Sequence, residues 1–231
     1  MMSIRRSQQR GHTKLDWLDS HHTFSFDQYY DPENMNFGPL RVINEDTVAP
    51  GAGFGTHPHR DMEIITYVLS GELEHKDSIG TGSVIRAGEI QKMSAGSGIM
   101  HSEFNHSKSQ PVHLLQIWIM PDQRSLAPKY EQEKFDLPPG ELVLLGSNDG
   151  TGLISIHQDV RLYAFRLNSG DTLAHELGKS SAWLQVARGA FEVNGEKVDQ
   201  GDAIAVNEGG SMFAKALLDS EALLFVFPTK H

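Results

Sequence analysis

Apolar runs of four to eight residues, each closed by glycine, asparagine, aspartate or proline, recur along the whole chain. Runs that short cannot make amphipathic helices, and punctuated in this way they read as strands of a sandwich or barrel. Ile64-Ile65-Thr66-Tyr67-Val68-Leu69, ended by Gly71, is the clearest of them. Its β-branched and aromatic content suits a buried strand. No stretch carries convincing helical periodicity, so the expected fold class is all-β.

The rhythm occurs twice. Thr66 to Glu74 passes through Gly71 and leads to Gly88-Glu89-Ile90-Gln91-Lys92-Met93, while Leu184 to Glu192 passes through Gly189 and leads to Gly201-Asp202-Ala203-Ile204-Ala205-Val206. Each copy is a strand, a glycine turn, a second strand and a Gly-acid pair opening a third. Pro121 to Pro128 and the stretch around Pro138-Pro139-Gly140 carry turn chemistry without periodicity, so they read as the connection between the halves. The expected domains are residues 1–130 and 131–231.

Two short-spaced pairs carry the chemistry, His57-Pro58-His59 and His101-Ser102-Glu103. Residues two apart on a strand point to the same face, so each pair sets two metal-binding side chains on one side of one strand. Two such strands facing each other make a four-ligand site. A single His-x-His among 12 histidines is more often a surface pair or a hydrogen-bonded core pair. Here the first pair follows a Gly51-Ala52-Gly53-Phe54-Gly55 turn and the second follows Gly98, which favours the metal reading. Matching Gly71 to Gly189 sets His175, Leu177 and Ser181 at the places of His57, His59 and Glu63. Matching Gly88 to Gly201 sets Ala214 and Ala216 at those of His101 and Glu103. One histidine cannot hold a catalytic metal, so the second half reads as structural.

Composition removes other classes. A net charge of -10 argues against a nucleic-acid partner held through its phosphates. With no cysteine, disulfides and thiolate ligation are impossible, and a metal must be held by nitrogen and oxygen. The basic N-terminal segment has no apolar stretch after it, and no run approaches the ~18 apolar residues of a membrane helix, so a soluble cytoplasmic protein is expected. There is no nucleophile elbow and no phosphate loop opening a helix.

The two histidine segments with their glycines resemble the two-part motif of the cupin superfamily, with Gly71 one residue late and Gly96 where proline is usual. Within it, the chain resembles the pirin family. The residues that carry the likeness are Arg10-Gly11-His12, Trp17-Leu18-Asp19, His22-Thr23-Phe24-Ser25-Phe26, Tyr30-Asp31-Pro32, His57-Pro58-His59-Arg60, Ser94 to Glu103 and Gln116-Ile117-Trp118-Ile119. The likeness is specific over the first 130 residues and looser beyond.

That resemblance implies a bicupin of two β-barrel or jelly-roll domains packed together. It implies one divalent metal ion per chain, iron favoured over nickel, cobalt, manganese, copper or zinc. The ligands it implies are His57, His59, His101 and Glu103. Pirin-like dioxygenases cleave flavonols such as quercetin with O2 and release carbon monoxide, which makes Glu103 both ligand and general base. The alternative it implies is a metal-binding regulatory protein with a protein partner, in which oxygenase activity is incidental. General cupins use the glutamate at Glu63, which shares odd parity with His57 and His59. Pirins use Glu103, leaving Glu63 as a pocket carboxylate that orients a ligand imidazole.

The remaining candidates read as structural. His21 and His22, beside Phe24, Phe26, Tyr29 and Tyr30, suit a strand packed on the barrel. His75 and His113 show no partner two residues away, and Asn105 and His106 are placed at the pocket mouth.

Overall fold

The structure, a computed structural model, describes residues 2–228. Among these, strands account for nearly all regular structure, beside one 3-10 turn at Ser7–Gln9. No helix among them is long and apolar enough to cross a membrane. The chain divides into two compact units, Gly11–Phe135 on the one hand, and the residues up to Arg10 with those from Asp136 onward on the other.

The strands through the first unit are β1 (Met2–Arg5), β2 (Gly11–Lys14), β3 (Leu18–His22), β4 (Leu40–Val48), β5 (Gly53–His59), β6 (Glu63–Ser70), β7 (Glu72–Asp77), β8 (Gly82–Arg86), β9 (Glu89–Ser94), β10 (Ile99–Asn105), β11 (Val112–Ile119) and β12 (Lys129–Lys134). The Gly11–Phe135 unit has a seven-stranded sheet, β12-β9-β6-β11-β4-β3-β2, and a four-stranded one, β5-β10-β7-β8. Leu18, Val48, Val68, Val112 and Leu114 of the larger sheet pack with Leu73 and Ile85 of the smaller one. Each sheet therefore buries one face against the other, the cupin jelly roll. On β10 the alternation is complete: Ile99, His101, Glu103 and Asn105 are buried, whereas Met100 and Phe104 are exposed. That periodicity puts His101 and Glu103 on the inner side.

The other unit repeats the plan with seven strands and four. Phe165, Leu184, Phe191, Val198, Ile204 and Leu224 lie in its core. Its Thr172–Gly178 strand pairs with Gly210–Ala216 so that His175 stands opposite Met212, as His57 stands opposite His101 in the first unit. Met212 and Ala214 therefore occupy the places of His101 and Glu103, and the expected Ala214 and Ala216 are two positions too far along. The connection from Gly201 is shorter than that from Gly88, which a match anchored on the glycines cannot register.

Two boundaries differ from the expected division at 130/131. β1 pairs antiparallel with Ala203–Val206, Ser3 opposite Ala205, so residues 2–10 belong with the second unit. A four-residue strand carries too little periodicity to announce its partner. The Pro121 to Pro128 segment is also not the connection, because β12 follows it and returns to β9 with Gln132 opposite Gln91. The division falls after Phe135.

Candidate metal centre

β5 and β10 are neighbours in the four-stranded sheet rather than strands that face each other, and His57 and His101 are cross-strand partners. The register shifts between His101 and Glu103, so that Glu103 pairs with Phe54 and β5 carries an extra residue at Gly55-Thr56. Such a bulge re-aims the side chains beyond it. Phe54, His57 and His59 thereby all line the same cavity, although their numbers differ in parity. Gly53 lets the strands come this close, since a Cβ there would lie 2.2 Å from the Glu103 carbonyl oxygen.

The three imidazoles converge. Ring centroids are 4.8 Å apart for His57 and His59, 4.4 Å for His57 and His101, and 4.8 Å for His59 and His101. Trp118 on β11 stands edge-on to His59 at 4.9 Å. His57 Nδ1 lies 2.8 Å from the Gly55 carbonyl oxygen, to which it can only donate, so in the neutral ring Nε2 carries the lone pair. His101 Nε2 is buried with no hydrogen-bond partner among the described residues. Burial, reinforced by the neighbouring rings, lowers His59 to about 4 and His101 to about 3. Both rings are therefore neutral near pH 7, the form that binds a metal.

Glu103 is held by two neighbours on the larger sheet, Gln116 Nε2 donating at 2.9 Å and Thr66 Oγ1 at 3.4 Å. Its carboxylate groups with His101 and with His75, which sequence reading set aside. His75 does have a partner two residues on: its Nε2 is 3.1 Å from Asp77 Oδ2. Burial opposes charge on Asp77, but bonds from His75 and from the Thr81 and Ile79 N–H groups outweigh it, and its pKa is lowered. An ionised Asp77 accepts from His75 Nε2, and in the neutral His75 ring this leaves Nδ1 to accept from His101 Nδ1 at 3.5 Å. This chain of tautomers directs the His101 Nε2 lone pair toward His57 and His59.

Glu63 is not in the site, contrary to the expected pocket role. The turn after His59 ends β5, and Glu63 begins β6 in the other sheet, so parity does not carry across. Ile64 lines the cavity and Thr66 reaches Glu103, whereas Glu63 faces the opposite way and pairs with buried Lys92 at 3.3 Å. Lys92 also contacts Glu131 at 2.8 Å. Asn105 does not line the histidine cavity either, and its Nδ2 donates to the Val48 and Gln110 carbonyls. His106 pairs with Glu74 and His113 with Glu45. His21 points outward into a cluster with His12 and Asp19, whose carboxylate also binds Lys14. His22, in contrast, is buried and lines the cavity.

The cavity measures about 380 Å³, and Trp17, Leu18, Phe26, Phe54, Ile64 and Trp118 form its apolar lining. That is within the roughly 300–1,000 Å³ of small-molecule sites. A nitrogen-rich donor set with one carboxylate beside His101, two neutral rings and an unsatisfied inward nitrogen fit a divalent transition-metal ion.

Residues 3–119 match the Pirin family, and residues 144–226 match the quercetinase C-terminal cupin domain. A protein of Escherichia coli K12 named quercetin 2,3-dioxygenase is 45% identical over 229 residues, covering 99% of each chain. A pirin-like protein of Caulobacter vibrioides is 41% identical over 213 residues, covering 90% of this chain and 91% of its own. The crystal structure of the bacterial pirin YhhW from Escherichia coli in complex with nickel(II) superimposes with a TM-score of 0.94 at 45% identity, covering 100% of both chains. With both halves matched and the likeness running end to end, this chain belongs to the pirin family and is a bicupin.

Proposed function

We propose that this protein is a flavonol 2,3-dioxygenase, which cleaves quercetin-like substrates with O2 and releases carbon monoxide. The observation that carries the reading is the convergence of three imidazoles, those of His59 and His101 neutral and that of His101 with a bare buried nitrogen, in an apolar cavity of about 380 Å³. In this reading one divalent ion, iron in the cell, is held by His57, His59, His101 and Glu103. When bound, such an ion lowers the proton affinity of a coordinated hydroxyl and brings O2 beside the substrate.

The rest of the work falls to the chain. Phe26, Phe54 and Trp118 enclose a planar aromatic substrate and exclude water. Glu103 is the base for the flavonol 3-hydroxyl proton, and Gln116 and Thr66 keep its oxygens aimed inward. Trp118 holds the His59 ring upright, and the Asp77–His75 pair holds that of His101.

Anaerobic metal analysis followed by O2 exposure with quercetin tests this. One metal equivalent per chain, uptake of O2, loss of the flavonol absorbance and release of carbon monoxide are expected. The His57→Ala, His59→Ala double variant should lose both the metal and the turnover. Turnover no faster than that of the free ion, or metal retained in the double variant, overturns the proposal.

A further inference from the structure

One wall of the cavity is polar. Ser20 and His22 on β3 and Asn44 and Asp46 on β4 all line it, and each is only 3% exposed. The strands pair so that Ser20 is opposite Asp46 and His22 opposite Asn44. A chain of hydrogen bonds joins them. Ser20 Oγ donates to Asp46 Oδ1, His22 Nδ1 lies 2.9 Å from Asn44 Oδ1, and Thr13 Oγ1 lies 2.9 Å from His22 Nε2. Asp46 Oδ2 and Asn44 Nδ2 take no part in that chain, although both belong to side chains that face the cavity.

Buried polar groups in an otherwise apolar pocket cost free energy unless something satisfies them. Nothing in the proposed chemistry at the histidines needs this wall, since Glu103 is served by Gln116 and Thr66. We propose that Asp46 and Asn44, held by Ser20 and His22, form a second subsite that takes phenolic hydroxyls of the substrate other than the one at the metal. The inference rests on the flavonol reading of the site and deepens it: the preferred substrates are polyhydroxylated. Burial, together with the charges of Glu103 and Glu45 and against the Ser20 bond, pushes the Asp46 carboxyl up to about 7. Near neutral pH it can then either donate to a phenol oxygen or accept from a phenol O–H. A site built to bond a hydroxyl rejects the analogue that lacks it, because its own groups are left unpaired.

The test compares quercetin with 3-hydroxyflavone, which keeps only the metal-binding hydroxyl, in anaerobic titrations of the nickel-loaded protein. Wild type should bind quercetin at least about tenfold more tightly, the worth of one or two such hydrogen bonds. Asp46→Ala should lose most of that preference, with nickel content and 3-hydroxyflavone affinity within about twofold of wild type. Asp46→Asn, which keeps the shape, should lose about threefold on quercetin alone and serves if the alanine variant does not fold. Equal affinity of wild type for both flavonols, or an equal loss on both in a fully nickel-loaded variant, overturns the subsite. Selective binding in these titrations, with no O2 consumption on either flavonol when the iron-loaded protein is then exposed to O2, upholds the subsite and removes the dioxygenase reading.

Discussion

His101 offers the sharpest test at the scale of single residues, because its Nε2 is useful only while its Nδ1 keeps the proton. Asp77→Asn can donate to His75 Nε2, which reverses both tautomers and puts the proton on the wrong nitrogen of His101. We expect about 10- to 100-fold weaker metal binding, and 15N shifts of the metal-free protein that report a protonated His101 Nε2. Unchanged shifts sink the relay. The two glutamates should separate as cleanly. Glu103→Gln should lower metal occupancy and turnover together, whereas Glu63→Gln should keep the metal and lower Tm by several degrees, because Lys92 is buried and loses one of two carboxylate partners. Loss of metal in Glu63→Gln with retention in Glu103→Gln reverses the assignment. His75 escaped sequence reading because its value lies in Asp77 and in a ring on the neighbouring strand, and only the second of these needs the fold.

Between elements, the site depends on how closely β5 approaches β10. Gly53→Ala places a methyl group 2.2 Å from the Glu103 carbonyl oxygen and must push the strands apart. A destabilisation of about 1–3 kcal/mol is expected, with metal affinity falling along with it; a variant as stable and as fully loaded as wild type contradicts this. In the second unit, His175 has Met212 across the strand pair and Leu177 two residues on, so neither of these positions supplies a second nitrogen. His175→Ala should leave the metal content unchanged, as measured by elemental analysis. The i, i+2 spacing made each of the two candidate pairs legible in the sequence, since strand pleat is a local property. The bulge that brings Phe54 to the same side as His57 was not legible, because it exists only in the pairing of two strands.

For the whole molecule, residues 2–10 are secured to the second unit, not the first. Asp202 accepts from Arg6 at 2.9 Å and from the Ser7 N–H at 2.6 Å. Burial raises its pKa, but these bonds outweigh burial and leave it lowered from the ordinary 3.8. A lowered folded-state pKa stabilises above the unfolded value and the gain vanishes as pH falls through the folded one. Asp202→Asn should therefore cost about 1–3 kcal/mol at neutral pH, and the difference from wild type should shrink below about pH 4; a difference that grows on acidification contradicts it. The sequence by itself determined the strand class, the duplication and the two short-spaced pairs proposed as ligands, because period-2 alternation, glycine turns and close spacing are local. Which unit β1 joins, which way Glu63 faces, and the meeting of β3 and β4 side chains with the histidines in one cavity were decided by tertiary structure. Those features depend on pairings between segments far apart in the chain, and loop lengths and registers that local pattern does not encode set those pairings.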